Sequence, residues 1–228
     1  MSVELLEAAA SEFGDLLRRV VFLGGATIGL WITDPTARAP RVTYDVDVVA
    51  EVVTLGAYEA FQTDLRRQGF REDVSSGVIG RWRAGYGDLI VDVVPAEPRL
   101  AGFGGVWLKR AAEAAVEREL RSGRVIRVVP PVHLVATKLE AFADRGNGDP
   151  LASKDFEDLT LLVDGREQLL GELVEAPEDL RRFIADAIRG VTALRDFEYG
   201  VEGALLGADA AARATQVTIP RFEDISRL

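Results

Sequence analysis

Residues Leu23–Val49 read LGGATIGLWITDPTARAPRVTYDVDVV: a glycine pair follows one apolar run, and Asp45-Val46-Asp47 opens another. If the second run is a strand, its two-residue period puts both carboxylates on one face, with Val46 and Val48 on the other. Paired carboxylates supply hard oxygen ligands, which suit magnesium or manganese. A glycine turn leading into a helix exposes backbone N–H groups able to cradle phosphates. The stretch therefore points to phosphate-and-metal chemistry.

Outward from this stretch, Val20–Leu23 is a short apolar strand, Gly24-Gly25 its turn and Ala26–Ile32 one or two buried helical turns ended by Asp34-Pro35. Thr33–Arg41 is a loop leading to the Asp45–Glu51 strand. Residues 3–18 have the apolar spacing of an amphipathic helix, and Leu55–Gln68 of another, stopped by Gly69. Strands are expected at Val78–Trp82 and Leu89–Val94, joined by Arg83-Ala84-Gly85-Tyr86-Gly87-Asp88, which is rich in turn residues. Asp92, centred in the second of these strands, calls for a cation, an arginine or a wet edge. Beside an Asp-x-Asp strand a metal is the favoured partner.

Residues 107–120 predict an Ala-rich helix and Arg124–Val129 a last strand. Pro130-Pro131 marks the domain boundary, because the pattern beyond it is wholly helical. Val132, Val135, Leu139 and Phe142 form one helical stripe. Asp149 and Pro150 suit the start of a further helix reaching Val163, and helices follow at about 166–175, 177–189 and 192–206. The tail from Thr215 carries few signals. The predicted class is thus α/β (α+β): residues 1–130 form a mixed sheet with flanking helices, and 131–228 a helical domain.

Composition limits the chemistry. The 228 residues are 48% hydrophobic, enough for a real core, and carry a formal net charge of −10. That balance argues against a generally basic nucleic-acid coat, although Arg66-Arg67, Arg81-Trp82-Arg83, Lys109-Arg110 and Arg118 to Arg127 are locally basic. Cysteine is absent and histidine occurs once, so thiolate and histidine-zinc sites are improbable and any metal must be held by carboxylates. No apolar run reaches membrane-span length, and the N-terminal residues lack a signal-peptide pattern. The expected location is the cytoplasm.

Four blocks then line up: Leu23-Gly24-Gly25, Asp45-Val46-Asp47, Asp92, and a helical part with ATKLEAF at 136–142 and SKDFEDL at 153–159. Their order resembles the nucleotidyltransferase toxin family named for abortive-infection AbiEii, which includes the mycobacterial MenT toxins, within the DNA-polymerase-beta-like nucleotidyltransferase superfamily. The resemblance covers roughly residues 20–165. It implies a mixed-sheet catalytic domain, then a helical domain, with a nucleoside triphosphate in the cleft between them. Asp45, Asp47 and Asp92 would hold one or two magnesium ions. Gly24 and Gly25 would let the backbone approach the triphosphate, and Lys138 would neutralise its charge. Lys154, Asp155 and Asp158 match a Lys-Asp-x-x-Asp-like motif at the nucleotide end of the cleft. For MenT-like relatives the acceptor is the 3′ end of transfer RNA, and the implied partners are nucleoside triphosphate, an RNA acceptor and an antitoxin protein.

The chain departs from that pattern in places. Residues 26–44, nineteen of them, separate Gly25 from Asp45 where about a dozen are usual, so Thr33–Arg41 resembles an inserted loop. Gly25 stands where the superfamily often has serine, leaving Thr27 to supply a hydroxyl. Arg41 and Thr43 resemble an Arg-x-Thr lead-in, and Arg41 either contacts phosphate or pairs with an acid. Lys138 alone could be a lysine that snorkels to solvent, and Asp155 with Asp158 a solvated helix edge. Trp82 could stack on a base or sit in the core. Two other functions remain open: a small-molecule nucleotidyltransferase of the antibiotic-modifying type, and a non-catalytic member that binds nucleotide or a partner.

Overall fold

The β-branched runs of the first 130 residues build one sheet. The computed structural model describes residues 2–85, 89–97, 100 and 105–228. Tyr86, Gly87 and Asp88 of the expected hairpin connection lie outside the described residues. By its contacts the chain divides into two compact units, Met1–Gly29 with Arg41–Pro130, and Leu30–Pro40 with Pro131–Leu228.

In the first unit α1 (Ser2–Phe13) runs through a 3-10 turn into β1 (Val20–Leu23), followed by β2 (Asp45–Ala50), α2 (Leu55–Arg67), β3 (Arg71–Glu72), β4 (Arg81–Ala84), β5 (Leu89–Pro95), α3 (Val106–Glu113), β6 (Val116–Glu119) and β7 (Val125–Val128). The strands form a seven-stranded mixed sheet in the order β3-β4-β5-β2-β1-β7-β6. β2 runs parallel to β5 and antiparallel to β1, while β4 and β5 form an antiparallel hairpin. Val46, Val48, Val91, Val93 and Trp82 are wholly buried on one face. Phe13 of α1 packs edge-on against Phe22 of that face at 6.1 Å between ring centroids. The mixed sheet with flanking helices matches the class expected from the sequence.

One expected element is corrected. The helix predicted over 107–120 stops at Glu113, and Val116–Glu119 is an edge strand paired with β7. The turn after it decides this. Gly123 adopts φ +79, the Gly123 N–H donates to the Leu120 carbonyl at 2.9 Å, and the Leu120 N–H donates to the Arg124 carbonyl at 2.8 Å, closing a hairpin that alanine-rich helix propensity cannot override.

The second unit is helical: α4 (Pro131–Arg145), α5 (Lys154–Gly165), α6 (Leu169–Glu175), α7 (Glu178–Thr192), α8 (Phe197–Leu205), α9 (Ala210–Arg213), a π-helical turn Ala214–Thr218, and α10 (Ile219–Ser226). The tail from Thr215, which carries few signals in the sequence, is helical through Ser226. Phe156, Phe197 and Phe222 form its aromatic centre, with centroids of the last two 5.3 Å apart. Gly200 is required there, since a Cβ would lie 2.7 Å from Pro150 and 2.9 Å from Phe156.

Of the segment that resembles an inserted loop, all but Arg41 belongs to this helical unit. The Thr33 and Asp34 N–H groups both donate to the Gly165 carbonyl, at 2.8 and 3.0 Å. Arg213 clamps Asp34 at 2.6 Å, and Arg38 pairs with Glu157 at 2.9 Å. The chain thus leaves the first unit after Gly29 and returns to it at Arg41, close before Asp45.

Candidate functional site

Strand alternation puts Asp45 and Asp47 on the sheet face opposite Val46 and Val48, and Asp92 opposite Val91 and Val93. Asp47 and Asp92 are direct cross-strand neighbours in the parallel β2–β5 pair. Three like charges so close need a counter-charge. Arg81, cross-strand from Asp92 in β4, supplies one. Its Nε donates to Asp92 Oδ1 and its Nη2 to Asp92 Oδ2, both at 2.7 Å, and Nη2 also donates to Asp45 Oδ2 at 3.0 Å. The Thr43 hydroxyl donates to Asp45 Oδ1 at 2.9 Å. The hydrogen bonds to Asp92 push the Arg81 pKa above its ordinary value against the effect of burial, and the charges of Asp45 and Asp47 add to the rise. Of the three partners that sequence reasoning allowed Asp92, the structure shows the arginine.

The neighbouring backbone fixes this arrangement. Gly80, just before Arg81, has φ +77, and its carbonyl accepts the Val93 N–H at 2.8 Å. A Cβ there would lie 2.4 Å from the Val93 carbonyl oxygen, which the Tyr58 hydroxyl also engages at 3.1 Å. The strand therefore enters β4 in one register, with Arg81 and Arg83 on the acidic face. Arg83 is held by Asp73 at 2.7 Å.

Gly24 has a comparable role toward Asp47. Its φ is +76, and a Cβ would fall 2.0 Å from Asp47 Oδ2. The glycine lays bare backbone against that carboxylate. Thr27 is fully buried, and its hydroxyl donates to the Gly24 carbonyl at 2.9 Å, so the structure uses it to tie the turn that opens the 3-10 segment Gly25–Leu30. Gly24→Ala is expected to lose about 1–3 kcal/mol, more than Gly69→Ala, where φ is +99 but nothing lies within 4 Å of a Cβ. Urea unfolding of the two variants checks this, and equal losses would mean that φ alone sets the cost.

In the second unit, Lys138 of α4 is 7% exposed, and Asp155 and Asp158 of α5 are 4% and 1%. The Lys138 Nζ lies 3.0 Å from Asp155 and 2.7 Å from Asp158. Arg145 adds a two-pronged contact to Asp155, at 2.8 and 3.0 Å. Burial works against the Asp155 charge, but Arg145 and Lys138 outweigh it and hold the carboxyl below its usual range. Ser153 caps α5 through the Phe156 N–H. The cluster is thus neither a solvated helix edge nor a snorkelling lysine. Lys154 is exposed on the first turn of α5, and Arg41 is half-buried. Trp82 lies fully buried beneath the acidic face with the Arg66 guanidinium 5.1 Å from its ring centre, which removes it as a base-stacking platform.

The structure accordingly brings Gly24, Asp45, Asp47 and Asp92 together on the first unit, and Lys138, Asp155 and Asp158 together on the second. Arg81, which the sequence shows only as part of a basic stretch, and Arg145, which it does not single out, complete the two groups. Among the described residues no group of three histidine, cysteine, aspartate or glutamate side chains is arranged to hold a metal. The donor chemistry on the sheet still fits a hard divalent cation: all three candidate ligands are carboxylates on one sheet face. No helix of the described residues is long and apolar enough to cross a membrane. No protein-family model matches the chain, and no curated protein matches it significantly.

Proposed function

We propose that the chain is a divalent-metal-dependent nucleotidyltransferase that moves a nucleotide from a nucleoside triphosphate to an acceptor hydroxyl, in the manner of the AbiEii and MenT toxins it resembles. One observation carries this reading: Asp45, Asp47 and Asp92 share one sheet face, with the side-chain-free backbone of Gly24 against Asp47. These three carboxylates would hold the magnesium, which when bound neutralises phosphate charge and acidifies the attacking hydroxyl. Thr43 orients Asp45 through its hydroxyl, and the bare backbone of Gly24 lets the Asp47 carboxylate lie against the glycine turn. The sheet supplies rigidity, because Val46, Val48, Val91 and Val93 fix the strand positions from below. The toxin role and the transfer RNA acceptor belong to the same proposal, supported by the order of the motifs.

The experiment is incubation of the purified protein with labelled nucleoside triphosphates, magnesium and total RNA. Labelled RNA is expected, and Asp47→Asn is expected to reduce labelling by about a hundredfold or more. Expression in cells should slow growth for the parent and not for Asp45→Ala. Absence of label on RNA, together with equal growth of parent and variant, would sink the toxin reading. Label transferred to a small molecule instead would select the antibiotic-type alternative.

A further inference from the structure

Arg81 takes up the carboxylate oxygens that a cation would need. Both oxygens of Asp92 accept from it at 2.7 Å, and Oδ2 of Asp45 accepts at 3.0 Å, so a single guanidinium bridges two of the three candidate ligands. The bridge is built in rather than incidental. Cross-strand pairing aligns Arg81 with Asp92, and Gly80 with its left-handed φ against the Val93 backbone fixes that alignment. The neighbouring arginine on the same face, Arg83, is committed to Asp73. The Arg81 side chain is 19% exposed, so its head retains a path toward water.

We propose that Arg81 is a positioning residue acting as an internal counter-ion, which competes with a divalent cation for Asp45 and Asp92. A planar, permanently charged fork and a dication compete for the same oxygens: the fork takes up lone pairs that a cation would use, and the two positive charges repel at that separation. Arg81 therefore keeps Asp45 and Asp92 stable side by side when no cation neutralises them, and it lowers the affinity for a cation by the work of swinging away. A triphosphate that brings its own negative charge would draw the released guanidinium, which links cation loading to substrate arrival. The inference rests on the metal-binding reading of the carboxylates.

Manganese binding, followed by the electron paramagnetic resonance signal of the free ion, tests the competition without any turnover. Arg81→Ala and Arg81→Gln are each expected to bind manganese at least about tenfold more tightly than the parent, the equivalent of one lost charged hydrogen-bonded contact. Both variants should melt below the parent in chelator and gain more from added manganese than the parent does. Should Arg81→Ala fold only with manganese present, that gain is itself the expected result, and Arg81→Gln, which keeps an amide donor for Asp92, provides the affinity. Equal affinity in parent and variants, abolished in all by Asp92→Asn, would overturn the competition while leaving the metal site standing. Failure of parent and variants alike to bind at millimolar manganese, with or without nucleotide, would overturn the competition together with the metal reading.

Discussion

Lys138→Met is expected to cost about 3–5 kcal/mol of unfolding free energy at neutral pH, the range found when one partner of a buried ion pair is removed. Methionine keeps the unbranched length of the lysine stem, so little packing is lost. The cost is electrostatic: Asp155 and Asp158 are 4% and 1% exposed, and each loses the ammonium that lies within 3.0 Å. The effect carries a pH signature. In the parent, Asp155 has a folded-state pKa below its unfolded one, so its contribution is present above the unfolded pKa and fades as pH falls through the folded value. In the variant Asp155 keeps Arg145 but loses Lys138, so burial meets less opposition and protonation of Asp155 relieves part of the penalty. The gap between parent and variant should be widest near neutrality and narrow toward acid. Urea titrations at several pH values check this, and a loss under about 1 kcal/mol that does not vary with pH would contradict it. Lys138→Met/Asp158→Asn is expected to recover much of the stability. If it recovers stability without recovering nucleotide transfer, Lys138 has a phosphate role beyond its ion pairs.

The acidic strand was legible because it depends on a two-residue period and on a charge pattern that local sequence displays. Asp45, Asp47 and Asp92 fall on one face for the same reason that Val46 and Val91 fall on the other. Arg81 was not legible, because its position depends on hairpin register. The sequence boundary placed Arg83 and Ala84 in the connection, but the pair closest to the turn is Ala84 with Leu89, and stepping back three residues on each strand from there sets Arg81 across from Asp92. A shift of two residues in the assumed closure would have set Ile79 there instead. Gly80 was the available signal, since a lone glycine at a strand entrance marks a bulge or a close backbone approach.

The Ala-rich stretch after 107 misled for a different reason. Helix propensity is a weak prior, and the turn at Arg121-Ser122-Gly123 commits the residues on either side of it to a hairpin. The lysine helix was legible as a motif and not as chemistry. That Lys138 pairs with both aspartates of α5 follows from how α4 and α5 pack, and no local pattern contains that information. Arg145 likewise reaches Asp155 from the last turn of α4, ten positions earlier in the chain.

Asp164→Ala is expected to match the Lys138 variant in size, at about 3–5 kcal/mol, for reasons that also explain the long connection between the glycines and the aspartates. Asp164 is wholly buried near the end of α5 and accepts the Arg213 Nε on both oxygens, at 2.7 and 2.9 Å, and the Thr218 hydroxyl at 2.7 Å. Its own carbonyl accepts from Arg221. One side chain thus holds both ends of the π-helical turn Ala214–Thr218, whose widened geometry has to be supported by the residues around it. Arg213 continues outward to Asp34 at 2.6 Å, and Thr36, through both its N–H and its hydroxyl, also donates to Asp34; Thr36 and Arg213 hold the Asp34 carboxyl well below the ordinary range. Removal of the outer partner should cost less. Asp34→Ala is expected to lose about 1–2 kcal/mol, the worth of a partly solvated charged hydrogen bond, and to speed tryptic cleavage after Arg38, which the intact strap Leu30–Pro40 keeps on Glu157. Asp164→Ala should loosen both the strap and the π-turn, whereas Asp34→Ala should loosen the strap alone, so proteolysis separates the two where unfolding curves give only magnitudes. Equal losses in the two variants, with the same cleavage pattern, would mean instead that strap and turn open as a single cooperative unit anchored at Arg213.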